Sequence, residues 1–334
     1  MLHSIPLQQT LSWQEQLANL VTDPAELLHC LKLTPEDVGY SAEALADFPL
    51  RLTRSYMSLM QPGDPADPLL RQVLPHHDET VPSAGYTNDP LDEDASLAKP
   101  GLLHKYSNRV LLVVTSACAI HCRYCFRRHF PYSENLRSRQ ELQASFNYIG
   151  QNPQINEVIL SGGDPLAVPN RYLQWLIDAL FELPNVTRVR IHTRLPVVLP
   201  DRVDRALLAI MGRHAGKMVM VLHANHPREL GEALESACVR LQEHRVLLLN
   251  QSVILKGVND DPDTLCKLSE RLFAAGVQPY YLHVLDKVAG AAHFDTGETR
   301  AKALHSAMQL VLPGYLVPKL VREEAGGFSK TLVL

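Results

Sequence analysis

The stretch that decides the fold is Cys118-Ala119-Ile120-His121-Cys122-Arg123-Tyr124-Cys125, which places three cysteines at C-x3-C-x2-C spacing. It follows an apolar run, residues 110–114, that is typical of a buried strand. In α/β enzymes the loop after such a strand lies at the edge of the sheet or barrel that carries the chemistry. Three thiolates hold a four-iron cluster and leave one iron for an external ligand, so the spacing favours an iron–sulfur site.

Two other interpretations of the three cysteines stay open at this point. A structural zinc ion needs four ligands, and His121 or His129 would have to be the fourth. The three thiols could also be unrelated. The remaining cysteines, Cys30, Cys238 and Cys266, lie singly in helical patterns, which predicts small buried apolar side chains.

Length, composition and charge narrow the class of protein. The chain has 334 residues, of which 46% are hydrophobic, and a formal net charge of −4. This length suits one large α/β domain with appendages. The charge argues against a nucleic-acid partner, and no run approaches the ~18 apolar residues of a membrane span. The N-terminus lacks the pattern of a signal peptide, so the expected location is the cytoplasm. Basic residues cluster at Arg123 and 127–129, which favours small anionic ligands.

The order of the segments predicts an α/β fold in three parts. Residues 1–100 predict an N-terminal helical region and a Pro-rich connection, because proline at that density interrupts helices. In residues 101–296, strand candidates alternate with helix candidates, which predicts βαβ units and a parallel sheet. Residues 297–334 predict a last helix and a Gly-rich loop that presents Lys330. The predicted strands are 110–114, 157–160, 187–192, 217–222, 246–254 and 278–285. Six units fit an incomplete, TIM-like (βα)6 barrel, with a doubly wound open sheet as the alternative.

Polar residues follow or end five of these strands, all at the same end of the barrel, which predicts one shared cavity. They are Ser161-Gly162-Gly163-Asp164-Pro165, His192-Thr193-Arg194, His223-Ala224-Asn225-His226-Pro227, Asn250-Gln251-Ser252 and His283-Val284-Leu285-Asp286-Lys287. Paired glycines let a ligand approach the backbone, although Asp164 also suits a helix cap. Arg194 could clamp an anion or be a surface residue. Lys330 could form a Schiff base with pyridoxal phosphate or be an exposed lysine.

Seven ordered motifs together resemble one family, the lysine 2,3-aminomutases among the radical S-adenosylmethionine (SAM) enzymes. The resemblance covers roughly residues 100–334. The motifs are Arg109-Val-Leu leading to the three cysteines, Ser161-Gly-Gly-Asp-Pro165, Arg194-Leu-Pro-Val-Val198, His223-Ala-Asn-His-Pro227, Asn250-Gln-Ser-Val253, Gly257-Val-Asn-Asp260 and Gly314-Tyr with Lys330. Residues 102–106, 125–132 and 279–287 are most similar to the short bacterial branch that acts with elongation factor P.

The resemblance implies three cofactors: a [4Fe–4S] cluster, SAM and pyridoxal 5′-phosphate. Cys118, Cys122 and Cys125 would hold the cluster, whose open iron binds SAM and cleaves it to a 5′-deoxyadenosyl radical. That radical removes hydrogen from a substrate bound as its pyridoxal phosphate aldimine. The implied cofactor-binding residues are Lys330 as the Schiff-base lysine, Lys105 and Arg109 near the phosphate, Arg194 between phosphate and SAM, and Gly162, Gly163, Asp164, His223 and Gln251 at the SAM site.

The resemblance also implies the substrate, L-lysine, which would become β-lysine. Arg127 matches the arginine that pairs with the substrate carboxylate. Asp286 matches the first of two acids that hold the ε-ammonium. Glu323 stands where the family has the second, an aspartate, so the negative charge is kept one methylene further out. A glutamate-specific relative should not place two acids there, because a γ-carboxylate would be repelled.

The expected activity is therefore that of an isomerase, an L-lysine 2,3-aminomutase. Its expected partners are L-lysine, a reductant protein and, through the resemblance, elongation factor P with its lysyl-transferring ligase. The alternatives are an aminomutase of free lysine metabolism or of another amino acid such as glutamate, a pyridoxal enzyme without a radical step, and a non-catalytic protein with zinc or iron in the cysteine site.

Overall fold

The structure, a computed structural model, describes residues 11–327 and 329–334. The first ten residues of the predicted N-terminal region lie outside it. The strands are β1 Leu97–Lys99, β2 Leu102–Tyr106, β3 Arg109–Thr115, β4 Glu157–Gly162, β5 Arg188–Thr193, β6 Met218–Leu222, β7 Leu247–Val253, β8 Gln278–His283, β9 Lys319–Arg322 and β10 Thr331–Leu332.

Thirteen α-helices are present in the described residues, and helices alternate with the parallel strands as the sequence predicts. They are α1 Trp13–Ala18, α2 Pro24–Leu31, α3 Ala42–Asp47, α4 Arg54–Met57, α5 Pro68–Arg71, α6 Tyr132–Asn135, α7 Leu142–Gln151, α8 Asn170–Phe181, α9 Leu195–Val198, α10 Arg205–Arg213, α11 Glu232–Glu243, α12 Pro262–Ala274 and α13 Glu298–Val311. Among the described residues no helix combines the length and hydropathy that a membrane span requires.

The ten strands form one sheet in which each strand pairs with its neighbours in sequence. β3 to β9 run parallel. β2 pairs antiparallel with β3 and with the edge strand β1, and the edge strand β10 pairs antiparallel with β9. In the described part of the chain β1 and β10 do not pair with each other, so the barrel is open. The sequential order excludes the doubly wound alternative, whose strand order reverses. The predicted incomplete TIM-like barrel is confirmed, and β3 to β8 are its six predicted strands.

The interior of the sheet explains why these six segments are strands. Val110, Val158, Val189 and Met218 are in register across four neighbouring strands, and all are almost fully buried. Parallel strands covered on both faces are rich in such residues, because helices shield them from water. The short strand β9 extends the parallel order by one. It was not predicted, because four residues of mixed polarity carry too little periodicity to indicate a strand.

The N-terminal helices share one apolar core with the barrel. Trp13 donates from its indole Nε1 to Asp204 at 3.0 Å, and Thr53 donates to the carbonyl of Val198. The predicted Pro-rich connection then crosses the open side of the barrel, where Thr87 pairs with Val288. One detail of the sequence analysis was wrong: Cys30 is exposed on the outer face of α2, whereas Cys238 and Cys266 are buried as expected.

Candidate active site

A cavity of about 710 Å³ lies inside the open barrel. Its volume lies in the upper half of the ~300–1,000 Å³ range of ligand sites. All the site residues that the sequence predicts lie in its wall, and the sheet therefore brings them together. They are Lys105, Arg109, Cys118, Cys122, Cys125, Arg127, Gly162, Gly163, Asp164, Arg194, His223, Gln251, Asp286, Glu323 and Lys330.

The cysteine loop has no regular secondary structure, and the N-terminal region holds it in place. The backbone N–H of His121 donates to the carbonyl of Arg51, and that of Arg123 donates to the carbonyl of Gln72, both at 2.9 Å. The fully buried Arg123 side chain donates to both oxygens of Glu79, at 2.8 and 2.5 Å. A loop with few internal bonds is thereby fixed from outside, which orients its thiols toward the cavity.

Two glycines let the loop after β4 pack against the start of the cysteine loop. Gly162 has φ +117°, a conformation that favours glycine. A Cβ on Gly163 would lie 2.5 Å from the carbonyl oxygen of Ala117 and 2.7 Å from the carbonyl carbon of Ser116. Both contacts are with backbone, which cannot move aside. The Gly-Gly pair is thus required for the close approach of two cavity-lining loops.

Asp164 acts in this structure as a cap and a tie between strands. Its carboxylate accepts from Thr193 Oγ1 at 2.7 Å, from the N–H groups of Arg194 and Leu195 at 2.8 Å, and from that of Leu166 at 3.0 Å. Burial raises its pKa against these hydrogen bonds. The capping interpretation of Asp164 is therefore correct, and its carboxylate links the loop after β4 to the end of β5.

The donor set of the cysteine loop fits an iron–sulfur cluster better than a zinc ion. Thiolates around one zinc ion lie roughly 3.8 Å apart, given Zn–S bonds of about 2.3 Å. In the described residues, the group with three ligand atoms within 4.8 Å of one another is His76, His77 and Asp78, and the three cysteines do not form such a set. His121 is also engaged, since its Nδ1 lies 2.7 Å from the carbonyl of Pro49.

Burial disfavours the charged thiolate form of two of the three cysteines, Cys118 and Cys125. Burial, with the neighbouring Cys122, raises the pKa of Cys125 to about 11. Burial likewise raises the pKa of Cys118, with Cys125 and Asp164 adding to the effect. These two thiols are therefore neutral on their own, and a positively charged group such as a metal cluster would be needed to hold them as thiolates.

Arg194 lies on the cysteine side of the cavity. Its guanidinium donates to Cys122 Sγ at 2.7 Å, to Gln72 at 2.8 Å and to the buried Glu229 at 3.0 Å. It also donates to the hydroxyl of Tyr124. Arg194 is 6% exposed, so the surface interpretation is excluded. Its bonds connect the cysteine loop to the N-terminal region and to the loop after β6.

Lys330 and Glu323 form the centre of a second group of charged residues in the cavity wall. Lys330 Nζ donates to Glu323 Oε2 at 2.5 Å, and Lys105 Nζ donates to Oε1 at 2.8 Å. The hydroxyl of Tyr106 donates to the same carboxylate. Although burial alone would raise it, the pKa of Glu323 is held at about 2 by Lys330, Lys105 and Tyr106. Lys330 is thus a cavity residue with a buried counter-ion, which excludes the exposed-lysine interpretation.

Asp286 and three histidines complete this wall. Burial raises the pKa of Asp286 to about 7, with Lys330 opposing the shift and Glu323 adding to it. His223 and Gln251 lie 3.0 Å apart through their side-chain nitrogens. The Nε2 atoms of His192 and His283 are buried and have no hydrogen-bond partner in the described chain. Unpaired buried nitrogens are costly, so a polar ligand such as pyridoxal phosphate or SAM fits this wall.

The arginines that the sequence placed beside the cysteines are neutralised by acids of this chain. Arg127 pairs with Glu93 at 2.8 and 2.6 Å, and Arg128 pairs with Glu79 and Asp47, both at 3.0 Å. The sequence analysis missed Glu93, because it lies in the Pro-rich connection, where no periodicity marks inward-facing residues. It also missed Arg190, which an alternation of polar and apolar residues in β5 would have indicated.

Arg109 and Tyr106 form a further part of the wall at the amino ends of the strands. The Arg109 guanidinium lies over the Tyr106 ring at 4.0 Å from its centroid. Its Nη1 donates to Asn108 at 3.0 Å. The nearby Arg190 pairs with Glu157 at 2.6 Å. Lys105, Arg109 and Arg190 give this end of the cavity donors for an anionic group.

The sequence matches the model of the Radical SAM superfamily over residues 112–268. It is also similar to curated proteins named L-lysine 2,3-aminomutase. The protein from Escherichia coli (strain K12) is 48% identical over 96% of this chain and 93% of that protein. The protein from Haemophilus influenzae is 44% identical over 98% of this chain and 96% of that protein. The protein from Clostridium subterminale is 36% identical over 96% of this chain and 77% of that protein. A radical SAM methyltransferase from Sphaerobacter thermophilus has a TM-score of 0.48 at 14% identity, covering 66% of this chain and 68% of that chain, a likeness too remote to bear on function.

Proposed function

Because this chain belongs to the lysine 2,3-aminomutase family of the radical SAM superfamily, we propose that it converts L-lysine to β-lysine, an isomerisation that moves an amino group from C2 to C3. The observation that carries the proposal is a single cavity lined both by the three-cysteine loop and by Lys330, Asp286 and Glu323. Neither a zinc-binding scaffold nor a pyridoxal enzyme without a radical step makes use of both groups.

The cofactors of the family are a [4Fe–4S] cluster, SAM and pyridoxal 5′-phosphate, which when bound supply one-electron cleavage of SAM and a carbonyl that condenses with an amine. Cys118, Cys122 and Cys125 would hold the cluster, and Lys330 would anchor the pyridoxal carbonyl. For the phosphate we propose Lys105 and Arg109, since both are cationic and line the cavity near Lys330.

For SAM we propose the wall between the cysteines and β7. Its residues are Gly162, Gly163, Asp164, Arg194, His223 and Gln251. The side chains of Asp164 and Arg194 are already bonded to the protein. They would therefore act by shaping the loops, and the glycine backbone and the His223–Gln251 pair would offer the free polar groups.

The acidic wall supports lysine as the substrate. A buried ammonium needs anionic partners, and Asp286 and Glu323 would supply them once the substrate takes the position beside Glu323 that Lys330 Nζ occupies. Arg127 would hold the α-carboxylate. The γ-carboxylate of glutamate would instead meet two acids, one with its pKa held at about 2, which disfavours the glutamate alternative.

The finer biological setting is also a proposal. We place the enzyme in the cytoplasm, with a reductant protein as electron donor. Its product would serve elongation factor P through the ligase that transfers lysyl groups. The support is the motif resemblance over residues 102–106, 125–132 and 279–287. To test this link, the enzyme is incubated with the ligase and elongation factor P, and the mass of the factor is measured by mass spectrometry. This measurement is independent of the assay of the isomerase activity.

The test of the proposed function is an anaerobic assay of the reconstituted enzyme with SAM, pyridoxal phosphate and a reductant. L-Lysine labelled with ¹⁵N at the α-position should give β-lysine with the label at C3. L-Glutamate is the matched second substrate. Absence of labelled β-lysine from a protein with full iron, sulfide and pyridoxal content would refute the proposal, and β-glutamate in its place would establish the alternative.

A further inference from the structure

Arg127 is held on one side by a carboxylate of this chain. Its Nε and Nη2 donate to the two oxygens of Glu93, at 2.8 and 2.6 Å, and its Nη1 donates to Ser161 Oγ at 2.8 Å. The side chains of Arg127 and Glu93 are 7% and 12% exposed. Both line the cavity. Arg127 and Glu93 therefore form a largely buried, bidentate ion pair in the wall of the cavity.

Counting donors shows what this pairing leaves available. A guanidinium has five N–H groups in a rigid plane. Glu93 takes two of them along the Nε side, and Ser161 takes one on Nη1. One N–H on Nη1 and one on Nη2 remain. A carboxylate is the ligand that matches planar guanidinium donors best.

The chain delivers Glu93 to this place by a defined segment, residues 86–96, which we call the strap. At its start, the Tyr86 hydroxyl donates to Asp295 at 2.6 Å. Thr87 exchanges two backbone hydrogen bonds with the loop after β8, both 2.9 Å long, to Lys287 and Ala289. At its end, the strap continues directly into β1, which pairs with β2. The strap is thus fixed at both ends across the open side of the barrel.

Within the strap, the neighbours of Glu93 face solvent. Asp92, Asp94 and Ala95 are exposed, whereas Leu91 and Glu93 point into the cavity. A segment with surface neighbours thereby carries one buried carboxylate. Without that carboxylate, Arg127 would be a buried charge with only a hydroxyl as its partner, and it would be free to adopt other rotamers.

We propose that Glu93 is a positioning residue for substrate recognition: it fixes the Arg127 guanidinium side-on so that its remaining donors meet the α-carboxylate of the amino-acid substrate. The inference rests on the proposed function, because it takes an α-amino acid as the ligand. It assigns to the strap a task in specificity, since ligands without an α-carboxylate gain nothing from an oriented Arg127.

The test compares two ligands that differ only in the group at issue. L-Lysine carries the α-carboxylate, and 1,5-diaminopentane is the same molecule without it. Binding of each is measured by equilibrium dialysis with the reconstituted enzyme, without reductant, so that no turnover occurs. Glu93→Ala and Glu93→Gln should weaken L-lysine binding at least ~10-fold and leave 1,5-diaminopentane within about twofold. Glu93→Asp, which keeps the charge, should recover part of the loss. Asp94→Asn, an exposed acid on the same strap, is the matched control.

A double-mutant cycle separates positioning from a general structural role. In an Arg127→Ala background, the further change Glu93→Ala should weaken L-lysine binding no further. Equal losses for both ligands, or an undiminished effect of Glu93→Ala in that background, would overturn the proposal. Tighter L-lysine binding by Glu93→Gln would also overturn it, because Glu93 would then be a competitor. Failure of the proposed function is distinguishable, since the unmodified enzyme itself would make no β-lysine.

Discussion

Glu79 tests how the cysteine loop is held, because it is the buried acid on which two arginines of that loop converge. It accepts from Arg123 at 2.8 and 2.5 Å and from Arg128 at 3.0 Å, and the side chains of Glu79 and Arg123 are fully buried. The substitution Glu79→Gln keeps the shape and one acceptor oxygen but removes the charge. Arg128 retains Asp47 at 3.0 Å. Arg123 retains only the carbonyls of Phe48 and Ala44.

The expected magnitude follows from which charge is left without a partner. Breaking a buried ion pair from one side costs about 3–5 kcal/mol. The two carbonyls on Arg123 and the amide oxygen of the new glutamine moderate that cost, so we expect the lower part of the range, about 3 kcal/mol. Since Arg123 lies between Cys122 and Cys125, part of the damage should appear as a less ordered cysteine loop and weaker cluster retention.

The assay has two readouts on the same protein. Urea unfolding of the cluster-free chain, followed by circular dichroism, measures the loss of stability. Iron and sulfide analysis after reconstitution measures retention of the cluster. The matched control is Asp78→Asn, since Asp78 is the neighbouring acid and its side chain is 45% exposed. A loss below about 1 kcal/mol, the value of exposed ion pairs, with unchanged iron content would refute the reasoning.

Three further predictions concern the cavity. Lys330→Ala should abolish the pyridoxal adduct that mass spectrometry detects after borohydride reduction, and it should leave iron and sulfide content unchanged. A pyridoxal adduct elsewhere on the chain would contradict the assignment. Asp286→Asn should stabilise the cofactor-free protein by up to about 4 kcal/mol at pH 8 and by less at pH 5. The reason is that burial raises the pKa of Asp286 to about 7, so the stability that the neutral carboxyl gives below about pH 4 is lost as the pH rises through 7. Denaturation at both pH values measures the difference, and a difference that does not depend on pH would refute the prediction. Gly163→Ala should lower stability and cluster content, because its Cβ would meet backbone at 2.5 Å, whereas Gly150→Ala, in α7 with its nearest contact at 3.6 Å, should be neutral or slightly stabilising.

Most of the fold and many of the residues that line the cavity could be predicted from the sequence. The six parallel strands are long apolar runs, and in a parallel sheet their carboxyl ends must meet at one edge. That rule alone places the cysteine loop, Gly162 and His223 in one wall. The family motifs add Lys330, which no periodicity marks. Their individual roles remain proposals, although the structure gathers them around one cavity.

What could not be predicted depends on contacts between distant residues in irregular segments. Glu93 meets Arg127 across 34 residues, and Glu323 meets Lys105 across 218. Glu93 lies in no repeating pattern that would indicate its direction, and the family resemblance placed Glu323 in the site without indicating its bond to Lys105. For the same reason the partners of Arg194 were unexpected. Its bonds to Gln72 and Glu229 depend on how the N-terminal region wraps around the barrel.

The open barrel has a consequence for local opening of the structure, which hydrogen exchange measures. The seam is the open side of the barrel between the edge strands β1 and β10, and near it Glu323, which follows β9, accepts from Lys105 and Tyr106. Because no backbone ladder joins β1 to β10 in the described residues, their amide protons should exchange with deuterium faster than those of β5 and β6 in the middle of the sheet. A bulky cofactor could then enter through this seam while the central strands stay folded. Slowed exchange at the seam after pyridoxal phosphate is added would report its closure.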